Sequence, residues 1–65
     1  MSDEPSYRYR VVGHAPVVDA DFILEDFAYD IYDAQKKAAS HRRWGWTAWI
    51  ERQLIVQEPR WDRLR

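Results

Sequence analysis

Apolar and polar residues alternate from the first aromatic of the chain. Tyr7, Tyr9 and Val11 fall on one side, Arg8 and Arg10 on the other. A two-residue period built from aromatic and β-branched residues predicts a strand over 7–13 with one buried face. Gly13 and Pro16 are expected to bracket the turn that follows, because Gly tolerates positive φ and Pro cannot continue a ladder. The same period returns over 46–56. There Trp46, Ala48, Ile50 and Leu54 share one side and Thr47, Trp49, Glu51 and Gln53 the other, with Pro59 as terminator.

The segment between these strands has a helical period. Gly45 directly follows a basic turn containing Arg42 and Arg43, the usual signal just past a helix C-terminus. Asp30, with Asp33 three residues on, suits the N-terminus, although a full capping box would carry Glu or Gln at Asp33. Two readings compete for residues 22–29. In one, Phe22 to Tyr29 forms a second strand and the helix runs over 31–44. In the other, a single helix covers 22–44, since Ile23, Leu24, Phe27, Ala28, Ile31, Ala34, Ala38 and Ala39 fall in one apolar sector at helical spacing. The Phe27-x-Tyr29 spacing and the Asp30 cap favour the strand, as does the marginal stability of a two-stranded sheet.

The fold class that follows is α+β, in the order β-β-α-β. One amphipathic helix lies across one face of a three-stranded antiparallel sheet. The alternative is β-α-β with the long helix over 22–44. Tyr7, Tyr9, Val11, Trp46, Ala48, Ile50 and Leu54 are expected inward, against Ile31, Ala34 and Ala38. Residues 1–6 read as a disordered lead-in, 7–56 as the single domain and 57–65 as a basic C-terminal tail with mobile character.

Length and composition narrow the physics. At 65 residues the chain is near the size where a core alone sustains a fold. The ten aromatics, four of them Trp, are the natural source of buried area. Cysteine is absent, which excludes disulfides and thiolate metal sites and suits a reducing, cytoplasmic setting. The acidic, polar start lacks the order of a secretion signal, and no apolar run is long enough to span a bilayer.

Net charge is −1 but unevenly spread. Residues 1–35 carry two bases against eight acids, and 36–65 carry eight bases against three acids. Such asymmetry marks either a charged binding face or pairing within the domain.

No catalytic constellation emerges. His14, expected in a turn, and His41, near the helix end, have no cysteine or His-Glu-x-x-His partner, so zinc ligation has no donor set. Asp19, Asp21, Glu25 and Asp26 lack the glycine and spaced Glu of a calcium loop. Neither a nucleophile elbow nor a phosphate-binding glycine loop is present. The chain is therefore expected to be no enzyme and to use no cofactor or metal.

The remaining candidate is a surface. Arg8, Arg10, Thr47, Trp49 and Glu51 are expected on the outward sheet face, and Trp and Arg dominate binding hot spots. The candidate partner-binding set is Trp49, Trp61, Arg8, Arg10, Arg42, Arg43 and Arg60, with Trp49 expected to face outward. Trp44 has no clear placement.

Three segments, Tyr9 to Gly13, Phe27 to Ala34 and Gly45 to Arg52, resemble short proteins of actinobacteria and their phages. The resemblance implies a phage-encoded modulator or inhibitor that binds a host protein, and carries no residue roles. The leading expectation is thus a non-enzymatic protein–protein interaction module. An alternative is nucleic-acid binding through Lys36, Lys37, Arg42, Arg43, Arg60, Arg63 and Arg65 with Trp44 or Trp61 stacking; another is an acidic nucleic-acid mimic over Asp19 to Asp33. An open sheet face also leads to the expectation of a homodimer.

Overall fold

The computed structural model describes residues 7–54 and 60–64. It contains strand β1 (Tyr7–Ala15), strand β2 (Ala20–Ala28), helix α1 (Ile31–Arg43), strand β3 (Thr47–Leu54) and strand β4 (Asp62–Leu64). The four strands form one sheet in the order β2-β1-β3-β4, with every neighbouring pair antiparallel. β2 and β3 flank β1 and run parallel to each other. Their connection must therefore cross the sheet, and α1 is that crossover.

The α+β reading with a second strand over residues 22–29 is the observed one, and the long helix is not. The sheet has four strands, one more than expected. The segment read as a basic tail supplies β4, which pairs Ile50 with Leu64 and Glu51 with Arg63. The lead-in over residues 1–6, residues 55–56 of the expected last strand, residues 57–59 with the expected terminator Pro59, and Arg65 lie outside the described residues.

The helix ends follow from the residues around them. Asp30 caps α1 by accepting the Asp33 N–H at 2.7 Å. Asp33 in turn accepts the N–H of Tyr29 at 3.0 Å, one residue outside the usual box, and the Lys37 ammonium at 3.1 Å. Donation from the Tyr29 backbone, then from Lys37, holds the Asp33 carboxyl below the usual carboxylate range. At the other end Gly45 has φ +96°. Its N–H reaches the Arg42 carbonyl at 3.0 Å and that of Trp46 the His41 carbonyl at 3.2 Å, a Schellman closure.

The hairpin turn is not where Gly13 suggested. β1 continues through His14 to Ala15, and the turn falls on residues 16–19 with Asp19 at φ +50°. Gly13 is instead buried inside the strand. A Cβ there would lie 2.5 Å from Leu24 Cδ1 and 3.0 Å from Trp46 Cε3, so its role is close approach rather than turning.

The core forms between α1 and one sheet face. Val11, Ala28, Ala34, Ala38, Ala48 and Ile50 are buried, with Tyr9, Leu24, Ile31, Trp46 and Leu64 packed around them. Ala34 and Ala38 are fully buried; their small side chains bring the helix backbone close to the sheet. The expected inward set is thus largely observed, with Leu24 and Ala28 from β2 and Leu64 from β4 added. Arg42 fastens the helix end to β3 by donating through Nε and Nη2 to the Ala48 carbonyl at 3.0 and 2.7 Å.

Candidate interaction surfaces

The sheet face away from the helix gathers four of the seven residues singled out from sequence. Register places Arg8 opposite Gln53 and Arg10 opposite Glu51. The β4 segment then brings Trp61 and Arg63 over the same face. Arg8 Nε donates to Gln53 Oε1 at 2.6 Å. Arg10 donates through Nε and Nη2 to Glu51 Oε1 at 2.9 and 2.7 Å, while Glu51 Oε2 accepts the Trp49 indole N–H at 2.9 Å. The Arg63 guanidinium lies 4.1 Å from the Trp49 ring centre, and that of Arg10 lies 4.1 Å from the Trp61 ring centre.

Trp49 lies on the outward sheet face as expected, but it is only 9% exposed there. Arg63 from β4 covers its ring and Glu51 satisfies its N–H, so its hydrogen-bonding group and one π face are already occupied. Trp61 likewise docks on the body of the domain, against Arg8 and Arg10. Arg60 sits at the entry to β4 and pairs with Asp62 at 3.3 Å. Arg42 and Arg43 do not join this face: Arg42 is committed to the Ala48 carbonyl, and Arg43 is exposed at the helix end.

A second surface, along β2, was not foreseen. β2 is an edge strand, and it leaves Phe22, Ile23 and Phe27 exposed, with Tyr29 beyond its end. Phe22 meets Trp46 edge-on at 6.2 Å and Phe27 meets Tyr29 at 5.0 Å, so both rings are only partly covered. At one end of this edge the hairpin turn presents Val17, 95% exposed, and Val18. Trp44, 84% exposed, shares a shallow cleft with His14, Ala15 and Pro16 at that same end. The most exposed tryptophan is therefore Trp44, left outside by the sharp closure at Gly45.

One signal for the β2 edge was present in the sequence. Phe22-Ile23-Leu24 is an unbroken apolar triplet, and successive strand residues face opposite sides. A single helix covers only one side, so part of the triplet had to remain open.

The acids of this region serve mostly as local partners. Asp21 and Asp19 flank the His14 ring at 2.7 and 3.4 Å, and Glu25 pairs with His41 at 3.1 Å. His14 thus belongs to β1 and pairs across the hairpin instead of standing in a turn. Among the described residues no group of three His, Asp or Glu side chains is placed to hold a metal ion. Among them, too, no helix is long and apolar enough to cross a membrane. No family model, curated protein or solved structure matches the chain.

Proposed function

We propose that the protein is a non-enzymatic protein-binding module, of the kind a phage uses to redirect a host protein. The observation that carries this reading is the exposed apolar surface on β2 and the adjoining hairpin turn. Exposed apolar side chains that run together along one edge mark a contact site more often than singly scattered ones do. In a chain of 65 residues the same side chains would have enlarged a small core, so leaving them in water costs stability.

The nucleic-acid alternative draws less support, because the basic residues are dispersed. Lys36 and Lys37 lie on the helix, Arg42 and Arg43 at its end, and Arg60 and Arg63 by β4, with Arg42 and Arg63 held by internal contacts. A nucleic-acid mimic would present free carboxylates, whereas Asp19, Asp21, Glu25 and Asp33 face histidines or Lys37. The discriminating experiment is capture from an actinobacterial lysate with the tagged protein, before and after nuclease treatment. A protein retained after nuclease and lost on Ile23→Lys supports the module. Retention that disappears with the nucleic acid overturns it.

A further inference from the structure

The β2 edge differs from the sheet face in having backbone as well as side chains to offer. Its outer side pairs with no strand among the described residues. Antiparallel register with β1 is regular from Ala20 to Ile23, then shifts twice before Ala28. At the irregular end Lys37 Nζ donates to the Phe27 carbonyl at 3.1 Å. An ammonium on α1 thus blocks that stretch of the edge, and the open part runs over residues 20–24, regular as far as Ile23. Phe22 and Ile23 sit in its middle on opposite faces of the strand, both about half exposed.

The charge carried by this stretch of chain is of one sign, and His14, Lys37 and His41 from other elements answer part of it. From Asp19 to Asp33 the chain carries six acids and no base. Asp26 is exposed, and no ion pair engages it among the described residues. Two copies of β2 laid edge to edge would each bring three acids, Asp21, Glu25 and Asp26, to the seam, of which Asp26 has no ion-pair partner among the described residues, and like charges across a strand pair are destabilising. This acidity is a means by which natural edges avoid self-pairing, and it leaves the edge open to a strand of opposite charge. Lys37 on the Phe27 carbonyl is an internal example of the cationic donor the edge accepts.

We propose that the Ala20–Leu24 edge takes up a short, extended, basic segment of a partner protein as an added strand. Main-chain hydrogen bonds supply the pairing, apolar side chains of the segment cover Phe22 and Ile23, and its Lys or Arg residues face Asp21 and Asp26. The inference rests on the protein-binding reading and specifies the partner's chemistry.

The probe is a synthetic peptide of about nine residues alternating Lys with Val or Ile, matched to a typical strand. Binding is measured by calorimetry, and contact is mapped by amide hydrogen exchange. The expected result is slowed exchange at residues 20–24. The same peptide N-methylated on alternate residues should not bind, because it cannot donate ladder bonds. Asp21→Lys combined with Asp26→Lys, both at exposed positions, should weaken binding by about tenfold, since opposite charges across a strand pair become like charges.

Equal affinity for the N-methylated or a Glu-for-Lys peptide overturns the inference, as does protection confined to the Arg8–Arg10 stretch. An Ile23-dependent dimer in sedimentation would assign the edge to a second copy and overturn it too. If the captured protein partner survives both Ile23→Lys and the double charge reversal, strand addition fails while the binding module stands. If no protein is captured at all, the wider reading fails with it.

Discussion

The two faces of β1's neighbourhood make opposite uses of the same residue types. On the sheet face, aromatic rings and charges are matched to each other: Glu51 serves Arg10 and Trp49 together, and Arg63 and Arg10 lie over tryptophans. Along β2 and the turn, apolar and acidic groups stand beside each other with little to cover them. A surface rich in Trp and Arg is therefore not by itself a contact surface. What matters is whether the partners of those groups are already inside the molecule.

The sharpest way to break this comparison is Trp49→Ala. If the sheet face is structural, removing a nearly buried indole costs about 3 kcal/mol, as for other large aromatics cut to Ala. In a domain of this size each 1 kcal/mol moves the melting midpoint by roughly 4–8 °C, so thermal denaturation reads the effect. Unchanged melting with lost partner capture would make Trp49 a docking residue after all.

Glu51→Gln tests the hub more gently. The partly buried Arg10 loses its ion pair, and because a Gln amide has one acceptor oxygen, its NH2 must face either Arg10 or the Trp49 N–H, so chemical denaturation should show a loss of about 2 kcal/mol. A null result would mean the charges contribute orientation only.

Acid should act on the region beside β2 through Asp33. Asp33 is held below its ordinary value by the Tyr29 N–H and Lys37, so its contribution is complete above the usual aspartate range. That contribution falls away as pH drops through the depressed value of the folded state. Exchange at the Tyr29 amide should accelerate relative to the sheet as the carboxyl protonates, and Asp33→Asn should remove this pH dependence.

The smallest effect belongs to Ile23→Thr, which keeps a β-branched residue on the edge. Stability should stay within about 0.5 kcal/mol, as for other surface changes, while partner capture is lost. A large loss of stability would show that β2 is as structural as the opposite face.

The sequence made the periodic elements readable. Tyr7-Arg8-Tyr9-Arg10-Val11 states a strand with one wet face, and Gly45 after Arg42 and Arg43 states a helix end. Asp30 marked the other end, even though Asp33 reaches Tyr29 instead of closing a full box. The fourth strand was illegible because β4 spans three residues, too few for a period to show. That omission propagated to the site. The face of Trp49 was read correctly, but its exposure depended on Arg63 arriving from a distant segment. Gly13 misled for a related reason: its need for space comes from Leu24 and Trp46, which no local pattern around residue 13 reveals.

One hydrogen bond described above also carries a chronology. Arg8 to Gln53 closes a separation of 45 residues, while His14 to Asp21 closes one of seven. Contacts between near neighbours in sequence incur little loop-closure entropy and form early, whereas distant ones must wait for the intervening chain. The β1–β2 hairpin is therefore expected to assemble first, and the Arg–Trp face only once β3 has docked. During synthesis the N-terminal hairpin emerges with its acidic outer edge formed and the other edge of β1 still vacant. A partner strand present at that moment would meet both edges, and arrival of β3 would leave it only one.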